Sequence, residues 1–343
     1  MTENDRPKRM GEFPVLVLLC LLLAGLFFVS LFIGRYPADP VTVGRILLSL
    51  VLPVDPTWPV TVETAVLDVR LPRALGAMLV GAGLSISGTA FQGLFRNPLV
   101  SPQILGVSAG AGFGAALALL LFDGTAQVQA LAFVFGLIAV GITYAISRLY
   151  TINPVLMLVL AGMVVGALFQ ALTSMIKYVA DPLNRLPAIV FWLMGSFNGV
   201  SLADLAWVAP PILVACAVLV LLRWRLNLLS LGEEEARSLG VNTRGLMAVI
   251  ILCTTVIVAA AVSISGMIGW VGLVIPHLGR MIVGPDHTAL VPVSVVLGAL
   301  YLLFVDDLAR TLLTTEIPIG IITAIIGAPF FLYLLRRNRT GWN

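Results

Sequence analysis

Residues 70–112, RLPRALGAMLVGAGLSISGTAFQGLFRNPLVSPQILGVSAGAG, constrain this chain more than any other stretch. Two arginines flank a proline, and an apolar run without a charge follows, about twenty residues long and so sufficient to cross a bilayer. A polar corner, Arg96-Asn97-Pro98-Leu99-Val100-Ser101-Pro102, then opens a second apolar run rich in Gly and Ala. Charge, span, tight turn and span make a membrane hairpin.

The remaining composition agrees. Of 343 residues 59% are hydrophobic and 11% charged, with mean hydropathy +1.06, whereas a soluble domain carries roughly 25% charged residues. The chain therefore reads as an all-α polytopic membrane protein in contact with lipid. A net charge of +3 gives no reason to expect nucleic acid. Cys20, Cys216 and Cys253 each lie within an apolar run, share no metal-ligand spacing, and read as small lipid- or core-facing residues. The run 13–34, preceded by Arg6, Lys8 and Arg9, is too long for a signal-peptide core and lacks a small-x-small cleavage site, so it reads as a retained first span.

Uncharged runs fall at 13–34, 74–95, 104–122, 128–147, 155–176, 205–222, 246–264, 268–282, 290–305 and 319–335, which predicts ten spans in one transmembrane domain over 1–343. The eighth is short and interrupted by Gly269, Gly272 and Pro276; a broken helix is tolerated where protein or water covers its backbone. An even count puts the tails 1–12 and 336–343 on one side, and most of the 20 Lys and Arg fall there, which places both termini in the cytoplasm. Two pieces are not spans. Residues 43–52 carry apolar side chains at 43, 46, 47, 50 and 51, one face of a helix lying along the outer surface. Residues 187–198 suit a re-entrant or partial helix on the same side. Gly76, Gly81, Ser85 and Gly88, and Gly106, Gly110 and Gly114, permit close helix packing.

Residues 84–88 (LSISG) are echoed at 262–266 (VSISG), and a proline follows each glycine at the same spacing, at Pro98 and Pro276. The two segments cross in opposite directions in this topology, the pattern of inverted repeats in transporters. Segment 226–243, LNLLSLGEEEARSLGVNT, is the longest polar excursion on the cytoplasmic side. It suits a short surface helix with an apolar side, capped at Gly240. Read from chemistry alone, it is either a solvated loop or an element docking on a partner. No GxxxxGK[ST] occurs, and Lys8 and Lys177 are the two lysines, so any ATP site must come from a separate subunit. Arg70, Arg73 and Arg310 stand at outer span ends, as interfacial anchors or as a basic rim for an external protein. His277 and His287 have no completing carboxylate or thiol, so no metal is expected; His277 is read as satisfying backbone groups beside Pro276. Glu316-Ile317-Pro318 reads as a helix start with its acid at the positive dipole end. An ion-coupled secondary transporter is the alternative. It would need a coupling carboxylate near the midplane, and the apolar runs contain none.

Taken together, 70–112, the LGxxxAxxLG pattern at 231–240, GWVGLVIPHLGR at 269–280 and EIPIGIITAIIGAP at 316–329 closely resemble the FecCD-type permeases, the membrane subunits of ABC importers for iron-siderophores, haem and vitamin B12. The resemblance runs from about residue 43 to 335, departing at Val100, where alanine is usual, and Ile317, where leucine is usual. It implies a type II ABC importer permease fold with ten spans and an inverted repeat, in the inner membrane. It implies a homodimer or related pair around one pathway lined by 155–176, two ATPase subunits holding ATP and Mg, and a periplasmic or lipid-anchored binding protein. It assigns a cytoplasmic gate to Asn97, Pro98 and Leu99, with a second element at Thr151, Ile152 and Asn153. It assigns ATPase coupling to Leu231, Gly232, Glu235, Ala236, Leu239 and Gly240, and binding-protein docking to Arg70, Arg73 and Arg310. It implies no catalytic residue, cofactor or metal in this chain. The motifs are shared across siderophore, haem, vitamin B12 and some oxyanion systems, so they leave the cargo open.

Overall fold

Where apolar runs leave the backbone no water to bond, helix is the local solution, and every regular element among the residues described by the computed structural model, 12–34, 36–150 and 154–337, is helical. The order is α1 (Glu12–Phe32), α2 (Pro40–Ser49), α3 (Val60–Thr64), a π-helical stretch (Ala65–Arg70) leading straight into α4 (Leu71–Phe95), a 3₁₀ turn (Pro102–Leu105), α5 (Val107–Leu121), α6 (Thr125–Arg148), α7 (Pro154–Val179) and α8 (Arg185–Met194). Then come α9 (Leu202–Leu221), α10 (Arg223–Leu231), α11 (Glu233–Ser238), α12 (Thr243–Ser265), α13 (Val271–Val283), α14 (His287–Thr311) and α15 (Ile319–Arg337). Seven segments are long and apolar enough to cross a membrane: α1, the continuous helix Val60–Phe95, α6, α7, α9, α12 and α14. The other three expected positions carry the shorter apolar helices α5, α13 and α15. The tails at 1–11 and 338–343 lie outside the described residues.

α4 is the axis of the packing. Most of its side chains are buried, against α14, α12, α13 and α9. At the α4–α14 crossing the backbones touch: a Cβ on Gly81 would sit 2.3 Å from the Gly298 carbonyl oxygen, and one on Gly298 2.4 Å from that of Gly81. Small residues let dispersion contacts and backbone proximity replace the hydrophobic drive that lipid removes. By contrast α1 and α9 expose Leu21, Phe28, Trp207, Leu213 and Val214, an outward apolar surface suited to lipid.

The expected weak point at 268–282 is a break before α13. Gly266 ends α12 at φ +65°, where a Cβ would lie 2.2 Å from the Trp192 carbonyl oxygen, so the position admits only glycine. The exposed peptide groups around this break are covered by protein. Gln103 Nε2 donates to the Ile268 carbonyl (3.2 Å), Gln92 Nε2 to that of Gly272 (3.3 Å), and the Ser196 amide to that of Ser265 (2.8 Å). The echoed motifs occupy unlike settings: Ser85–Gly88 are mid-helix in α4, whereas Ser265 closes α12 and Gly266 breaks it.

Both short pieces are helices. Asp39 caps α2 by accepting from the amides of Val41 and Thr42, with Pro40 in the first turn. Val43 and Ile46 pack on Leu31, Val62 and Val66, while Leu50 and Val51 are exposed. α8 buries Ile189, and Gly195 at its end accepts from the Ile319 amide at 2.9 Å, tying it to the start of α15.

Candidate functional site

A cavity of about 620 Å³ opens between the 3₁₀ turn, α5 and α7, closed at one side by Leu193 of α8 and Met267. Glycines let these elements meet: a Cβ on Gly162 of α7 would stand 2.2 Å from the Ile104 carbonyl oxygen of the turn. The polar wall is Gln103, Ser108, Gln170, Thr173, Ser174 and Lys177, and Lys177 is its charged member. Thr173 and Ser174 donate to the carbonyls of Phe169 and Gln170 in their own helix (2.8 and 2.9 Å). The Ser108 hydroxyl is buried and has no hydrogen-bond partner among the described residues. α7 contains the segment expected to line a pathway; of the residues named in the sequence, Gly106, expected as a packing glycine, and Lys177 line this cavity, and neither was assigned to it. Lys177, one of two lysines and set at the end of an apolar run, was the available signal.

The outer arginines do not form the exposed basic rim that the sequence suggests. Arg70, Arg73 and Arg310 are 5%, 6% and 9% exposed. The helix begins at Val60, ahead of the charges that bound the apolar run, so Arg70 and Arg73 sit inside a helix and turn inward. Arg73 grips Asp306 with Nε and Nη2, both at 2.8 Å, and reaches Glu316 with Nη2 at 2.8 Å and Nη1 at 3.1 Å. Glu316 also accepts from the Ser196 hydroxyl at 2.7 Å. Its carboxylate therefore serves a buried guanidinium, and α15 begins at Ile319. Arg310 pairs with Asp307 and donates to Ser30 Oγ (2.7 Å), and Ser30 donates to Asp307 (2.8 Å). Arg70 donates to the carbonyls of Leu31 (3.0 Å) and Tyr36. Planar forks on paired carboxylates offset the desolvation that buries these charges. The buried acids of α14 are thus partnered by arginine rather than poised as ion ligands.

At the opposite end of α4, Arg96 adopts the left-handed conformation (φ 50°) and the Asn97 amide donates back to the Gln92 carbonyl at 3.2 Å. Asn97 Oδ1 accepts from the Leu99 amide at 2.9 Å, which fixes a tight Asx turn. Leu99 is left exposed and Val100 is buried. Thr151, Ile152 and Asn153 lie outside the described residues.

Segment 226–243 is two helices rather than one. Gly232, at φ +141°, separates α10 from α11. Leu226, Leu229 and Ala236 are buried, while Leu231 and Leu239 are each 60% exposed. Glu235 is exposed, and Glu233, Glu234 and Glu235 occupy the first turn of α11, favourable at its dipole. Arg237 pairs with Glu233 and donates to Thr243 Oγ1 at 3.1 Å. The end at Gly240 is a Schellman cap: the Val241 amide reaches the Ala236 carbonyl (3.0 Å) and the Gly240 amide that of Arg237 (2.9 Å). Asn227 joins α10 to α14, donating to Asp286 (2.6 Å) and accepting from the His287 amide (2.8 Å). His277 packs edge-on against Phe330 of α15. No group of three His, Cys, Asp or Glu side chains converges among the described residues.

The sequence profile of the FecCD transport family matches residues 21–337. The molybdate import system permease protein MolB of Haemophilus influenzae is 43% identical over 325 residues, 94% of this chain and 95% of its own length. The hemin transport system permease protein HmuU of Yersinia pestis is 40% identical over 280 residues, 80% of this chain and 83% of its own. The cobalamin import system permease protein BtuC of Halobacterium salinarum is 43% identical over 279 residues, covering 81% and 75% respectively. Among solved structures, a metal-chelate type ABC transporter in an inward-facing conformation superposes with TM-score 0.84 at 42% identity, covering 94% of this chain and 99% of its own.

Proposed function

Because this chain belongs to the FecCD transport family, whose members are permease subunits of ABC importers rather than enzymes, we propose that it is the membrane subunit of an ATP-driven importer for an iron chelate (siderophore or haem) or a corrinoid. The protein is an integral membrane protein. In this reading it crosses the inner membrane ten times, with α5, α13 and α15 completing the seven longer spans, and both termini are cytoplasmic. Two copies flank one pathway, two ATPases bind below, and an external binding protein delivers the cargo.

The observation that carries the reading is the α10–α11 unit. Its backbone is fixed by a Schellman cap and an internal ion pair, and its core side is buried, yet it holds Leu231 and Leu239 outward. An exposed apolar pair on a rigid polar unit suits a cleft on a partner. ATP binding would move this unit, and the turn at Asn97, Pro98 and Leu99, with 151–153, would gate the pathway. Since Arg70, Arg73 and Arg310 are occupied internally, their part in docking would be to hold the outer helix ends in place for the binding protein. The secondary-transporter alternative gains nothing from Asp306 and Asp307, whose carboxylates are paired with Arg73 and Arg310.

The test is isolation of the tagged chain from its native membrane in mild detergent, with mass spectrometry of what accompanies it. A stoichiometric partner bearing a phosphate-cradling loop is expected. A chain that purifies alone, and moves a solute under an ion gradient without ATP, would overturn the reading.

A further inference from the structure

Resting on the permease reading, we propose that the α5–α7 cavity is a filter for cargo that presents anionic oxygens, with Lys177 and Ser108 as its specificity-determining side chains. The wall is chemically one-sided. Among the described residues it carries an ammonium, two side-chain amides and three hydroxyls, and neither aspartate nor glutamate. Lys177 makes no ion pair within 4.0 Å among the described residues. The acid one turn beyond it, Asp181, is engaged elsewhere: its carboxylate accepts from the amides of Leu183 (3.2 Å) and Asn184 (3.1 Å) and from the Asn184 side chain (2.8 Å).

Ser108 supplies an independent sign. It is 8% exposed, lines the cavity, and its hydroxyl is without a partner among the described residues. A buried polar group left unmade is costly, so such a group asks for an acceptor. The other hydroxyls, on Thr173 and Ser174, already donate to their own helix. Gln103 spends one amide hydrogen on the Ile268 carbonyl and keeps a second. Donors therefore outnumber what the protein consumes, and the single charge is positive. Cargo rimmed with anionic oxygens would satisfy both, and it would find Lys177 at the last turn of α7. A cationic chelate would meet an ammonium with no carboxylate among the described residues of the wall to offset it, and a neutral corrinoid lacking the phosphodiester would leave that ammonium unanswered. Oxygen-rich anions come from two sources, metal oxyanions and carboxylate chelates, and the chemistry of the wall is common to both.

The chain offers its own reporter, since Lys8 and Lys177 are its two lysines. The full chain, purified with whatever ATPase accompanies it, is treated with an amine-reactive reagent, and labelling at each lysine is followed by peptide mass spectrometry. Molybdate, ferric citrate and dicyanocobinamide, a neutral corrinoid without the phosphodiester of cobalamin, are the probes, at ionic strength matched with chloride. Labelling of Lys177 is expected to slow at least fivefold with molybdate, ferric citrate or both, and to be unchanged by dicyanocobinamide, while Lys8 reacts at one rate throughout. The anion that protects identifies the source. Ser108→Ala is expected to weaken that protection severalfold, with the chain still eluting as wild type. Equal labelling with anions and chloride, or protection by dicyanocobinamide, would overturn the filter. The ATPase reading is decided separately by what co-purifies, so either can fail without the other.

Discussion

Arg73 sets the residue-scale problem, because its charge is buried and shared. One guanidinium holds Asp306 of α14 and Glu316 ahead of α15. Removing it takes from both carboxylates the guanidinium they share, and breaking a buried pair costs about 3–5 kcal/mol. Arg73→Ala is therefore expected to lower the thermal unfolding midpoint in detergent sharply. Arg73→Lys should fall between, since an ammonium cannot make the fork. An exposed anchor would instead lose no more than about 0.5 kcal/mol, so a wild-type midpoint for Arg73→Ala would refute the buried network. The sequence shows the arginines at a run's end but not their burial, because the acids that bind Arg73 lie 233 and 243 residues away. The features legible in advance are local ones. The turn at Asn97 and the cap at Gly240 are built from side chains and backbone within a few residues, so their residue types announce them.

Among elements, α14 is the piece whose two ends do different work. It spans 25 residues, or about 37 Å, with Asn227 and Asp286 at its start and the arginine-bound acids near its end. A displacement of α10 would thus reach the arginine–carboxylate cluster along a single stiff helix. Asp286 caps that helix, and the Thr288 hydroxyl and amide, with the Asn227 side chain, hold its carboxyl below the usual carboxylate range. A carboxyl depressed in the folded state stabilises above its unfolded value, about 3.9, and that contribution disappears as pH falls through the lower folded value. Asp286→Ala should accordingly cost about 1 kcal/mol at neutral pH. Thermal melts of both proteins should then converge as the pH is lowered below about 4; a gap that persists or widens there would show that the cap acts otherwise. Element boundaries were legible where hydropathy alone decides them. They were missed at α3, because Glu63, Asp68, Arg70 and Arg73 end an apolar run without ending a helix. They were missed again at Gly232, because the residues of α10 and α11 together fit one amphipathic pattern.

For the molecule as a whole, the question is how a chain with no phosphate-cradling loop would be driven by ATP in the proposed importer. The family assignment was readable from four separated motifs, whereas the cavity was not, since its wall gathers residues from 103 to 267 that no single motif contains. Drive must enter through a contact, and the α10–α11 unit offers a built one in which the inward and outward residues can be separated experimentally. Ala236 is fully buried, so a charge there would disturb folding and report nothing about contact. Leu239 is largely exposed and lies next to the glycine cap, so a charge there leaves the unit's own packing intact. In a partner's apolar cleft, however, the same carboxylate must be desolvated without a counter-ion, which abolishes seating rather than weakening it slightly. Leu239→Glu is therefore expected to eliminate ATP-driven uptake in reconstituted vesicles while membrane insertion and pairing of the permease stay at wild-type level. Leu239→Met, which keeps volume and apolarity, should retain most of the uptake. Undiminished transport in the Glu variant would mean that ATP acts through some other surface, and the exposed leucines would then be no more than scattered apolar residues on the surface of α10 and α11.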